Sequence, residues 1–152
     1  MATVYSDGFT KVRAGRLIQS NETRGKVRTL NWDFASLPAG NIADVLVCGI
    51  LPKGARVLQG REFHSAMGGS ATGAYGVYAI DTDGLSLGTV VDDDKFLTAT
   101  SFVAAGQTDI ANTLALFAIS EQAADYFVTV LNASSAFATA GRIAGWLNFI
   151  LD

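Results

Sequence analysis

The sequence predicts an all-β protein: an antiparallel β-sandwich or a barrel, preceded by an extended N-terminal arm and carrying one short helix. Three observations lead there. Short apolar segments, about seven or eight of them, are separated by turn residues, the spacing of sandwiches and barrels. Glycine is abundant at 16 residues and proline scarce at 2. Apolar residues make up 49% of the 152-residue chain and charged residues only 16%. The Glu and Lys that usually fill helix surfaces are therefore scarce.

The elements follow in order. Residues 1–25 carry scattered apolar side chains among Gly, Ser, Thr and Arg, and read as an extended arm with a short strand near 15–19. In residues 26–34, Leu30, Trp32 and Phe34 alternate with Asn31 and Asp33, the period of a half-buried strand. Ser36 to Asn41 is turn chemistry, and 42–51 is a compact apolar run read as a buried strand. Pro52, Lys53 and Gly54 mark a turn. Residues 55–65 form a strand candidate with a kink or bulge at Gly60. Residues 72–80 have apolar side chains on both faces, as an inner strand would. Asp81-Thr82-Asp83-Gly84 is a strong turn signal. Asp92, Asp93 and Asp94 stand where acidic residues favour a helix start, which predicts a short helix over 93–102. Further strands are expected at 114–117, 127–131 and 143–151, with a loop at 120–124. No linker divides the body, so the reading is an arm at 1–25 and one sandwich domain at 26–152.

Composition excludes several function classes. The apolar content is too high for a disordered chain. No run of about 18 apolar residues occurs, which excludes a membrane-spanning helix. The first residues lack the charged and apolar regions of a secretory signal. One cysteine, Cys48, cannot build a disulfide framework or a cysteine zinc site, and one histidine, His64, cannot build a multi-histidine site. The formal net charge is −3, unlike a nucleic-acid binder. The charge is unevenly placed, however. Residues 1–30 carry +4 and residues 31–152 carry −7. A basic beginning on an acidic body suits an arm that reaches an acidic partner surface. The weakly charged remainder suits burial against other subunits.

No catalytic constellation emerges. Ser65 follows His64 directly, and neighbours on a strand point to opposite faces, so they cannot act together. His64 reads as a surface or interface residue. The Asp81 segment lacks the further ligands of a calcium loop. Asp92 to Asp94 read as a solvated turn or helix cap. Gly68 to Gly73 lacks the lysine of a phosphate loop. Three glutamates lie in no glycosidase motif. Trp32 and Trp146 sit in alternating strands and read as core. No catalytic residue, metal or cofactor is expected.

A resemblance runs along most of the chain. The segment Leu51-Pro52-Lys53-Gly54-Ala55-Arg56-Val57-Leu58 resembles one that recurs in small structural proteins of tailed bacteriophages. Ala2 to Ser6, Gly25 to Arg28 and the stretch 93–105 are similar to the same group. The chain most resembles a capsid decoration, or cement, protein or another minor virion protein. That resemblance implies a sandwich or jelly-roll-like module, made in the host cytoplasm and placed on the outer surface of an icosahedral head. It implies a homotrimer that bridges neighbouring capsomers, with the major capsid protein as partner and no contact with membrane or nucleic acid. The basic arm supplies the contact candidates Lys11, Arg13, Arg16 and Arg24. Competing readings are a tail or neck component, a small hydrolase, and a receptor- or glycan-binding module using Tyr75, Tyr78 or Tyr126.

Overall fold

A computed structural model of the chain describes residues 3–5, 27–37, 44–110, 124–133 and 137–151. These contain nine strands: β1 (Thr3–Tyr5), β2 (Arg28–Leu37), β3 (Val45–Leu51), β4 (Ala55–His64), β5 (Thr72–Ile80), β6 (Leu87–Ser101), β7 (Gly106–Ile110), β8 (Tyr126–Asn132) and β9 (Gly141–Leu151). They form a five-stranded sheet in the order β1-β3-β8-β5-β6 and a four-stranded sheet in the order β2-β9-β4-β7. Every pair is antiparallel except β1 with β3, which run parallel. Successive described strands lie in different sheets at every step except β5 to β6. The two sheets make the β-sandwich that the strand spacing predicted.

The alternation in the sequence explains the core between the sheets. On β2, Trp32 and Phe34 point inward while Asn31 is exposed. Leu46 from β3, Tyr75 and Val77 from β5, Val128 and Val130 from β8, and Ile143 and Leu147 from β9 join them. Burying each large apolar side chain contributes roughly 1.5–3 kcal/mol. The five-stranded sheet also packs on its other face. Val45 and Val47, Phe127 and Tyr78 form a second cluster, alternating along β3 and β8 with the first. The expectation that residues 72–80 form an inner strand with two packed faces is met by β5, which lies between β8 and β6.

The turns follow their chemistry. Gly54 takes φ 81° between β3 and β4. At the β5–β6 connection, Asp83 Oδ1 accepts the amides of Leu85 and Ser86 at 2.8 and 2.7 Å, and Gly84 takes φ 71°.

Three local expectations are corrected. The first is the short helix at 93–102, where strand β6 runs on to Ser101 instead. An isolated helix of that length is marginal in water, whereas pairing with β5 satisfies the backbone. Thr100 and Phe102 are buried with the exposed Ser101 between them, the alternation of an extended chain. The second concerns Asp92 to Asp94, which cap no helix. They lie in an irregular stretch of β6, where pairing jumps from Tyr75↔Leu97 to Val77↔Asp92. The third is the bulge expected at Gly60. The register of β4 against β9 shifts between Val57 and Gln59 instead. Gly60 is paired, and a side chain there would press on Leu147, Ile110 and the Trp146 carbonyl. The strands expected near 15–19 and 114–117 lie outside the described residues.

Candidate functional site

The four-stranded sheet places its polar residues in two distinct groups. On the inner face, register sets Trp32, Gly145, Glu62 and Thr108 in one row across β2, β9, β4 and β7. The next row holds Phe34, Ile143, His64 and Gly106. Glu62 and His64, two apart on β4, therefore share a face that points into the sandwich. Glu62 is 0% exposed and His64 8%.

Their geometry is closed. His64 Nδ1 lies 2.9 and 3.0 Å from the two Glu62 carboxylate oxygens. His64 Nε2 lies 3.0 Å from the Ala104 carbonyl. The imidazole stands edge-on to Phe102, with ring centres 4.9 Å apart. Burial raises the Glu62 pKa, and hydrogen bonding and charge from His64, with smaller effects from Thr108 and Tyr75, offset part of that rise. Burial also pushes the Tyr75 hydroxyl well up, with Glu62 and Cys48 adding to it. The Tyr75 hydroxyl lies near Glu62 but makes no hydrogen bond of standard geometry among the described residues. Cys48 is buried and its thiol is pushed well up by desolvation, so it is held as the neutral thiol.

This arrangement answers the question of catalysis by His64. Both ring nitrogens face acceptors, so neither is left to activate a nucleophile. Ser65 points away, and its hydroxyl accepts the Arg142 amide at 2.8 Å. The expected separation of His64 and Ser65 holds. The expected surface or interface position of His64 does not, because its side chain turns into the sandwich of its own chain, against Ile143, Phe102 and Gly106. Sequence reading missed Glu62 as its partner. The signal was present as Glu-x-His, a same-face spacing on a strand.

The outer face of the sheet is mixed. Asn31, Trp146, Arg61 and Asp109 form one row, and Asp33, Ala144, Phe63 and Gln107 the next. Arg61 Nε donates to Asp109 Oδ1 at 2.6 Å. Arg142 makes a two-point pair with Asp33 at 2.9 and 2.7 Å. The hydrogen bond from Arg142 lowers the Asp33 pKa. Phe63 is 42% exposed between the two ion pairs. A groove of about 340 Å³ is lined by Phe63, His64, Ser65, Arg142 and Ala144. Both ion pairs are solvated, so their contribution is small. Arg142→Ala is expected to lower the melting midpoint by at most about 3 °C at neutral pH. A depressed carboxyl pKa gives stability that is present above the ordinary carboxylate range and lost as pH falls through the folded pKa. The difference between wild type and Arg142→Ala should therefore vanish in acid, as thermal melts at several pH values would check.

The remaining candidates are placed as follows. Trp32 is buried in the core, while Trp146 is half-buried on the opposite face, so the two form no common platform. Tyr75 and Tyr78 are buried and Tyr126 packs against the core, which corrects their reading as an exposed glycan-binding set. Among the described residues, no group of three or more His, Cys, Asp or Glu is placed to hold a metal ion. Lys11, Arg13, Arg16 and Arg24 lie outside the described residues. Thr3–Tyr5, from the same segment, pairs along Val45–Val47 of β3.

No family model matches the chain, and no curated protein matches it. Solved structures share its fold. A chain of the capsid of Ralstonia phage GP4 superposes with a TM-score of 0.76 at 19% identity, over 99% of both chains. A chain of the cyanophage Pam1 capsid asymmetric unit superposes with a TM-score of 0.56 at 13% identity, over 90% of this chain and 92% of that one. At these identities the likeness is one of fold.

Proposed function

We propose that this chain is a structural protein of a phage virion that decorates and cements an icosahedral head. It sits on the outer surface as a homotrimer and bridges neighbouring copies of the major capsid protein. The observation that carries this reading is the end-to-end match with a chain of the GP4 capsid, which covers 99% of each. The correspondence is to an entire small chain rather than to one domain of a larger one. The closed Glu62–His64 pair and the unaligned Ser65 favour a structural role over an enzymatic one. The uneven charge of the sequence supports a basic arm that engages acidic groups on the shell. Many copies on one shell add avidity, so modest affinity per copy suffices.

An electron-microscopy reconstruction of the particle that carries this chain tests the role. Density on the outer shell across capsomer boundaries is expected. Density only at the tail or neck would overturn the cement reading and favour a tail component. The contact residues are tested in the full chain by reversing charge at Lys11, Arg13, Arg16 and Arg24 together. Occupancy on undecorated shells is expected to fall at least about tenfold at physiological salt, with an unchanged melting midpoint. Full occupancy by the reversed chain would remove the arm from the contact.

A further inference from the structure

The sandwich has two lateral edges of opposite character. One is built from β6 and β7, the last strands of their sheets, which meet where Thr100 Oγ1 lies 2.7 Å from Thr108 Oγ1. The other is built from β1 and β2, and β2 packs on β3 across the core, where Gly49 leaves room for Leu30.

Strand β6 is 15 residues long and has no strand on its outer side among the described residues. Val90 and Val91 are 55% and 47% exposed. Consecutive side chains on a strand point to opposite faces, so both faces of β6 are open to water there. Leu85 and Val103, in the turns at the two ends of β6, are exposed as well. Four of the seven large apolar side chains exposed among the described residues thus lie on this one element. A ribbon with both faces in water gains little from burial. A long apolar edge strand also offers unpaired backbone groups to another chain.

Charge selects the partner. Residues 81–94 carry five aspartates and no other charged residue, which is −5. Asp92 and Asp94 are exposed. Asp94 is the midpoint of β6, so a two-fold pairing centred on two copies of this strand would set their aspartates against each other. Like charges opposed across a strand pair are destabilising. The fitting partner offers apolar surface with positive charge, and this chain carries that combination at its other edge. Val27, 58% exposed, stands between Lys26 and Arg28 where β2 begins. Residues 25–30 contain no acidic residue.

We propose that the β6 edge docks the β2 edge of a second copy of this chain, with Val90 and Val91 against Val27, and Asp92 and Asp94 toward Lys26 and Arg28. The two edges lie on opposite sides of the sandwich, so the contact is head-to-tail and closes copies into a ring. The inference rests on the homotrimer of the proposed function and gives that trimer its interface. It leaves Lys11, Arg13, Arg16 and Arg24 to the shell contact.

The test is sedimentation of the full-length chain over a concentration series. Wild type is expected to form a trimer. Its dissociation is expected to strengthen at least about tenfold in Asp92→Lys with Asp94→Lys, and likewise in Lys26→Glu with Val27→Glu. The chain with all four substitutions should regain most of the lost affinity, because opposite charges again face each other in the reversed sense. Added salt should weaken wild type and this chain alike. Thermal melts check that each variant folds. If a paired variant does not, Val90→Asp at its exposed position should weaken the trimer in its place. A wild-type monomer or two-fold dimer would overturn the contact. So would unchanged trimers in both paired variants, or no recovery when the four substitutions are combined. Any of these leaves the cement reading standing, since density on the shell decides that. A trimer that behaves as expected but is missing from the shell would overturn the cement reading alone.

Discussion

Gly76→Ala is expected to cost about 3–5 kcal/mol, at the upper end for a single substitution. Gly76 lies in β5, opposite the irregular stretch of β6 around Asp92 and Asp93. A Cβ at this position would stand 2.5 Å from the Asp93 Cα and nearer still to the Asp92 carbonyl oxygen. Those atoms are backbone, so no rotamer change relieves the overlap. Strand β6 would have to move away from β5, breaking ladder hydrogen bonds and exposing Phe96, which is 2% exposed in the native packing. For a domain of this size the melting midpoint should fall by roughly 10 °C or more. Gly84→Ala is the matched control. Its φ of 71° makes alanine strained, yet nothing lies within 4 Å of the added methyl. It should cost only about 1–2 kcal/mol, the price of a left-handed conformation. Chemical denaturation of the two variants separates crowding from backbone strain. Equal losses would show that β6 yields easily.

His64→Ala is expected to cost about 3–5 kcal/mol, because it leaves Glu62 buried without its partner. The carboxyl group would then have to take up a proton or draw water into the core. Replacing both members with apolar residues of similar volume, as in Glu62→Met with His64→Leu, should recover most of that loss. The double variant removes the desolvation penalty along with the attraction. Urea unfolding at neutral pH measures both. A double variant no better than His64→Ala would mean that packing of the imidazole on Phe102, rather than charge, dominates the site.

Most of the sandwich was legible in the residues. Leu30, Trp32 and Phe34 alternate as β2 requires, and the 72–80 stretch coincides with β5. Strands β3, β4, β8 and β9 arise at the expected apolar runs, and the turns at Pro52–Gly54 and Asp81–Gly84 connect strands as their chemistry demands. Two short strands were not legible. β1 has three residues and β7 five, too few to show a period. Each exists because another strand offers it a ladder, β3 for β1 and β4 for β7. The candidate site was less legible still. Glu-x-His puts two polar side chains on one strand face, but the pattern does not say which face is covered.

The sequence by itself determined the all-β class, the position of six strands and the turns between them. These depend on side-chain alternation and on backbone preferences a few residues long. Tertiary structure decided the rest. It made residues 93–101 part of a strand, because β5 supplies an edge that an isolated helix cannot match. It turned His64 inward, because Phe102 and Ile143 close over it. It made Glu62 a partner rather than a surface charge, because both sheets exclude water around it. Pairing and desolvation depend on segments distant in the chain, and no local pattern encodes which of them will meet.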